Sequence, residues 1–488
     1  MRALARRACV ASWTAWLAIA AGAAPAAGPS ASALFAAPAI RQMTIDPSGE
    51  ILASIVRRKG RDRVALRKRD ASGEVYVQTR LAGVRRLEWI DDRHLLVRYG
   101  SRYLPAHLVV GVSEDGGSLE LSEERVSAKG AFVDLLPSAG EEVLWSVRTR
   151  AATSVYRVAL SDLVGDGGGA FSPEEERRVA RLRGGVTYWV ADSDAVPRAA
   201  LTLGRGSQKS KLWYRDSADA DWRLLKETEK AEDVPRPHGM AANGRDLIVT
   251  AKGTRDTLAL FELSAETGEL GREVFAHPDA DVVGVFTDYA TREVIGAVYE
   301  RDGLPQYHHL DSFLDRYQRS LAHALPGVVP TVAGTSRDRR YLVVVTSGPR
   351  EPGSYYVLDT ETNTATRVAR SMPWIDPSTL ADVEAHRLAS TGGIEVEAFL
   401  TRPRDVERPP LVVLPHGGPS LVRDTRAFDP LVQFLAAGGL AVLQVNYRGS
   451  GGRGQSFLDA GKRQWGRGIE EDLEAAFDHV VERGIVDG

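Results

Sequence analysis

The sequence predicts a β-propeller of about seven blades followed by the N-terminal part of a doubly wound α/β domain. Three observations carry this reading. Seven short apolar strands, each followed by a polar turn and a second alternating strand, begin at residues 51, 94, 143, 198, 247, 294 and 341. Their starts lie 43, 49, 55, 49, 47 and 47 residues apart, the period of a four-stranded propeller blade. After residue 377 the pattern changes to strand, helix, strand, helix, the signature of an α/β sheet.

The 488 residues carry 43% hydrophobic and 26% charged side chains, a globular composition. The formal net charge of −3 gives no overall attraction to nucleic acid or anionic lipid. The N-terminus reads as a secretory leader over residues 1–28. Arg2, Arg6 and Arg7 precede an Ala-rich apolar run at 8–24, and small-residue cleavage patterns follow at 21–23 and 31–33. The chain is therefore expected to be secreted or periplasmic, with no membrane span once the leader is removed. The single cysteine, Cys9, lies inside the leader. Its removal leaves no thiol for a disulfide, a thiolate metal site or a cysteine nucleophile.

The propeller is expected over 36–378. A sheet folded alone leaves an apolar face bare, and radial stacking of blades buries it. Turns such as Glu266-Thr-Gly268 and Glu361-Thr-Asn363 close the hairpins. Tryptophans in 87–90, 188–190 and 212–214 suit blade cores. His308 and His309 are adjacent on a strand, so they point to opposite sides and do not read as joint metal ligands. Arg57, Arg58 and Lys59 read as an ordinary exposed turn. No H-E-x-x-H occurs, and neither a metal nor an organic cofactor is implied.

The second domain is expected over 379–488. A hairpin at 383–388 and 394–400 precedes a continuous apolar strand at 411–414, a helix at 428–437, a second buried strand at 440–445 and an amphipathic helix at 469–483. Each buried strand runs into a distinctive loop. The first is Leu414-Pro-His-Gly-Gly-Pro419. The second is Asn446-Tyr-Arg-Gly-Ser-Gly-Gly-Arg-Gly454.

Here the chain resembles the α/β-hydrolase domain of the prolyl oligopeptidase family, especially its acylaminoacyl-peptidase and dipeptidyl-peptidase branches. Those relatives carry similar H-G-G-P and N-Y-R-G-S-x-G-x-G segments and a helix like 465–473, behind an N-terminal propeller. The resemblance implies a serine peptidase acting on short peptides by acyl transfer. Glycines let a backbone approach a reacting carbonyl closely, and Gly417 and Gly418 are the candidate N–H donors to its oxygen. His416 reads as a loop-ordering residue rather than a catalytic base. Asn446, Tyr447, Arg448 and Gly449 read as a loop shaping the site. Gly451 and Arg453 stand where Thr and Tyr are common in the family. The loop lacks the G-K-[ST] ending of a phosphate-binding loop.

No G-x-S-x-G nucleophile elbow occurs in the 488 residues. Neither Ser450 nor Ser456 fits one. In the resembling family the elbow follows the helix that ends here near Gly484, after one more strand. The expectation is a fragment with no catalytic residue of its own, inactive alone. The alternative is a propeller binding module with a vestigial hydrolase stub. An esterase of the same fold is a weaker third. Asp472 and His479, seven apart on the last helix, read as solvated or sheet-edge residues. Substrate preference, exo- or endo-cleavage and oligomeric state are left open.

Overall fold

A computed structural model describes residues 28–101, 104–136, 141–165, 174–204, 209–288, 291–418 and 420–487. The leader, with Cys9, lies outside the described residues except for Gly28.

Seven antiparallel sheets follow one another between residues 40 and 370, each made from consecutive strands. The seven strands read from the sequence are the second strands of these sheets: Ile51–Arg58, His94–Gly100, Glu142–Arg148, Pro197–Thr202, Leu247–Ala251, Val294–Arg301 and Tyr341–Gly348. Such strands were legible because a second strand is covered on both faces. Leu52, Ala53, Leu95, Leu96 and Val97 are all fully buried. The cores form between blades. Ile55 and Leu66 of the first join Leu95 and Leu108 of the second. Leu201 and Leu212 of the fourth join Val249 and Leu263 of the fifth. The ring closes by side-chain packing of Ile40, Met43 and Leu52 on Val343 and Val357. Among the described residues no strand is exchanged between the first and last blades.

The sixth blade departs from the expected four strands. Among the described residues it has three, the last being Leu304–His309. Helix α2 (Ser312–Ala324) follows, capped by the Asp311 carboxylate on the Leu314 N–H. Its apolar stripe of Leu314, Tyr317 and Leu321 is buried, and the last two pack on Leu342, Val344 and Leu358 of the seventh blade. That 3.6-residue spacing was present in the sequence.

The C-terminal sheet contains β1 (Val383–Ala389), β2 (Glu395–Thr401), β3 (Leu411–Val413) and β4 (Ala441–Asn446), in the order β1-β2-β4-β3. Only β3 and β4 are parallel; the other neighbours are antiparallel. Three helices accompany the sheet: α3 (Pro430–Ala437), α4 (Gly454–Ala460) and α5 (Gly468–Glu482). Helix α3 starts two residues later than expected because Asp429 caps the Leu431 and Val432 N–H groups, with Pro430 in the first turn. Ile469, Ala476 and Val480 of α5 pack on Ala398, Leu400, Leu443 and Val445. Beside β3 a further parallel pairing begins, with Asp487 N–H donating to Pro409 O at 2.9 Å.

The N-terminal helix α1 (Ala31–Leu34) contacts α3, and Leu34 is buried with Met372, Ile375 and Leu380. Among the described residues no helix is long and apolar enough to cross a membrane.

Candidate active site

The backbone leaves β3 with Leu414 N–H still bonded to Leu443 O, then turns through His416, Gly417 and Gly418. His416 is held on three sides. Its ring stacks on Tyr447 at 4.4 Å between centroids. Its Nε2 lies 2.8 Å from Ser450 Oγ. Its own carbonyl accepts from the Tyr447 hydroxyl at 2.6 Å. This clamp ties the loop after β3 to the loop after β4. Gly417 and Gly418 are exposed, and among the described residues neither N–H has a hydrogen-bond partner. Gly418 has φ +135°, and a Cβ there would stand 3.0 Å from Val422 Cγ2, so this turn selects glycine. The arrangement offers backbone donors at the C-terminal end of a parallel strand, where open α/β sheets bind their ligands.

The four residues of the second loop have separate tasks. Asn446 is buried at the end of β4; it donates to Glu397 Oε2 at 3.0 Å and accepts from Asp424 N–H at 2.7 Å. Tyr447 holds His416, and burial together with the nearby Asp424 charge pushes its phenol up. Arg448 does not reach the Gly417–Gly418 turn. Its guanidinium lies inward against Asp472 of α5, with Nε–Oδ2 at 2.9 Å and Nη2–Oδ1 at 2.6 Å. Gly449, at φ +95°, passes so close to Gly461 that a Cβ would sit 3.1 Å from the Gly461 Cα.

Asp472 is therefore not solvated: it is fully buried and accepts from Arg448 N–H, the Arg448 side chain and the Ser390 hydroxyl. This corrects the sequence expectation. Helical spacing showed which face Asp472 shares, but not that an arginine 24 residues earlier returns beneath the helix. His479 does lie at the sheet edge, beside His386 of the edge strand β1. It packs edge-on against His386 at 5.4 Å, and its Nε2 is buried without a hydrogen bond. His308 and His309 do diverge: one stacks on Phe275, the other meets Phe286 edge-on. His309 and Phe286 line a propeller cavity of about 690 Å³.

The glycine-rich stretch has a role the sequence did not show: it is the seam with the propeller. Asp256, on a turn of the fifth blade, accepts from Ser456 N–H and Oγ, both at 2.7 Å, at the start of α4. Asp281 N–H donates to Gly452 O at 2.9 Å, and Asp281 Oδ2 accepts from Gly454 N–H at 3.1 Å. Nearby, Arg423 lies between Glu300 of the sixth blade at 3.0 Å and Glu397 of β2 at 2.7 Å. The Glu300 contact is misaligned for a directed hydrogen bond and acts as a charge contact. Burial and the neighbouring Glu397 raise the Glu300 carboxyl, while Arg423 opposes them. Gly303 allows Phe399 to pack directly on the propeller turn.

The structure brings a serine to a histidine, yet Ser450 is poorly placed to attack a substrate. It is buried, and its hydroxyl proton is committed to Tyr447 O at 2.7 Å. Asp424, missed by the sequence reading, stands in the same cluster. Burial raises its carboxyl against the influence of His416, and its Oδ2 lacks a hydrogen bond. No motif marks it; only folding brings it to Asn446. Among the described residues no group of three or more His, Cys, Asp or Glu side chains is arranged to hold a metal ion.

Residues 426–488 match the prolyl oligopeptidase family. The similarity to that family is shown over this C-terminal segment. A longer similarity reaches beyond that segment: a dipeptidyl aminopeptidase BIII of Pseudoxanthomonas mexicana is 29% identical over 318 residues, covering 62% of this chain and 44% of the relative. The chain thus spans less than half the length of that relative. The human acylamino-acid-releasing enzyme is 37% identical over 95 residues, 18% of this chain and 13% of that one. In three dimensions, a puromycin-hydrolyzing peptidase of Mycobacterium tuberculosis superposes with a TM-score of 0.61 at 18% identity, over 94% of this chain and 74% of that one. That likeness shows the shared fold: a propeller followed by the first elements of an α/β-hydrolase sheet.

Proposed function

We propose that this chain supplies the propeller and the oxyanion-stabilising side of a serine peptidase that cleaves short peptides by acyl transfer. The observation that carries the reading is the exposed Gly417–Gly418 turn, held by His416, Tyr447 and Ser450 at the end of β3. Backbone donors fixed beforehand stabilise the developing oxyanion without reorganising, an effect of about 3–4 kcal/mol per donor. The names of the relatives, an aminopeptidase and an acylamino-acid-releasing enzyme, support aminoacyl, dipeptidyl or acylaminoacyl peptides as substrates. No elbow motif stands in the 488 residues, so the chain alone is proposed to be inactive, with no cofactor involved. Export, to the periplasm or beyond, is proposed from residues 1–28. The burial of Leu34 favours cleavage at 21–23 over 31–33.

A fluorophosphonate probe and reporter peptides test both parts. The chain alone is expected to give no covalent adduct and no turnover; an adduct on Ser450 would refute inactivity. In a chimera completed with the C-terminal portion of the matched aminopeptidase, Gly418→Ala is expected to lower kcat by about 10²-fold with little change in KM. Unchanged kcat would remove the oxyanion role.

A further inference from the structure

The turn joining the second and third strands of the first blade lies beside residues 80–83, which lead into the second blade. Between them is a pocket of about 390 Å³. Arg57, Arg61, Arg63 and Arg80 line it, with Asp62 as its one acid. The charge of Asp62 is already used: it accepts from Arg41 at 2.6 Å and from Arg57 at 3.0 Å. Glu123, which approaches the same segment, is occupied by the N–H groups of Gln78 and Thr79. Arg61, Arg63 and Arg80 therefore share one concavity with no ion-pair partner among the described residues. Arg61 and Arg63 are two apart on one strand and project to the same side.

Guanidinium groups gathered without counter-charge repel one another, and their planar forks suit carboxylate and phosphate oxygens. We propose that this pocket binds an oxoanion, a carboxylate or phosphate carried by a small ligand. The site is separate from the Gly417–Gly418 turn and does not depend on the peptidase reading. Arg57, Arg58 and Lys59 are exposed, as the sequence reading had them, and of the three only Arg57 lines the pocket. By strand alternation the pocket opens on the same end of the propeller as the turn bearing Asp256, the end on which α4 docks. The α/β segment bonds to turns of the fifth, sixth and seventh blades, and among the described residues none of its hydrogen bonds reaches the pocket.

Calorimetric titration of the full chain with inorganic phosphate and, separately, with triglutamate tests the proposal. At least one probe is expected to bind with a Kd below about 10 mM, more weakly as salt rises. Binding is expected to weaken about ten-fold or more in the triple variant R61Q/R63Q/R80Q. A control of equal charge change, K129Q/R404Q/R463Q, removes exposed cations elsewhere and is expected to shift Kd by less than about two-fold. The stronger probe identifies the source of the anion. Absence of binding by both probes, or equal weakening in the two variants, would overturn the proposal. Matching melting curves check that both variants fold.

Discussion

Arg448 and Asp472 form a buried ion pair in which Asp472 accepts both the side chain and the backbone N–H of Arg448, at 2.6–2.9 Å. The pair fixes the loop that carries Tyr447 and Ser450, and through them His416. The candidate oxyanion turn is thus positioned from behind, by a helix residue that never touches it.

Removing one partner leaves the other charge buried. Asp472→Ala is expected to destabilise the C-terminal segment by about 3–5 kcal/mol. Urea unfolding monitored at the tryptophans checks this. A loss under about 1 kcal/mol would mean that the loop relaxes and rehydrates Arg448.

The seam between propeller and sheet depends on Arg423. Arg423→Met leaves Glu397 without its cation and facing Glu300. Hydrogen exchange in β2 and α4 is expected to accelerate at least ten-fold, while the blades distant from the seam keep their protection. Uniform acceleration throughout the propeller would argue against a local seam.

His238 provides a pH test. It is largely buried and bonded to Thr250 Oγ1 at 2.6 Å, and burial, aided by Arg236, lowers it to about 4. The unfolded chain takes up this proton near 6.5 and the folded chain only near 4. Stability is therefore full above about pH 6.5 and falls as pH drops toward 4, by about 3 kcal/mol from this residue. His238→Asn is expected to flatten the stability–pH curve in that window. An unchanged slope would show that His238 does not cause it.

Among the described residues, β3 has on its outer side only the bridge between Pro410 and Asp487, and Leu411, Val412 and Val413 are half-exposed. Such an edge templates association. Val412→Lys is expected to reduce concentration-dependent light scattering without lowering the melting temperature. Persistent association would place the sticky surface elsewhere.

Much of the fold could be read directly from residues. All seven central blade strands were legible because they are apolar on both faces. Helices α3 and α5 announced themselves by spacing. Helix α4 did not, since its start is a run of glycines whose cap, Asp256, is 200 residues away. The mixed β1-β2-β4-β3 sheet was hidden because period-two alternation fixes a strand's faces, not its neighbours.

The sequence by itself determined the propeller, the α/β segment after it and the two loops at the ends of β3 and β4, because periodicity and glycine placement are local properties. Only the tertiary structure decided that Arg448 turns inward to Asp472, that Ser450 holds His416 through a buried hydroxyl, and that the glycine run meets the propeller. Those facts depend on which distant side chains share a low-dielectric interior, where a charge or hydroxyl must find a partner, and sequence spacing does not encode that choice.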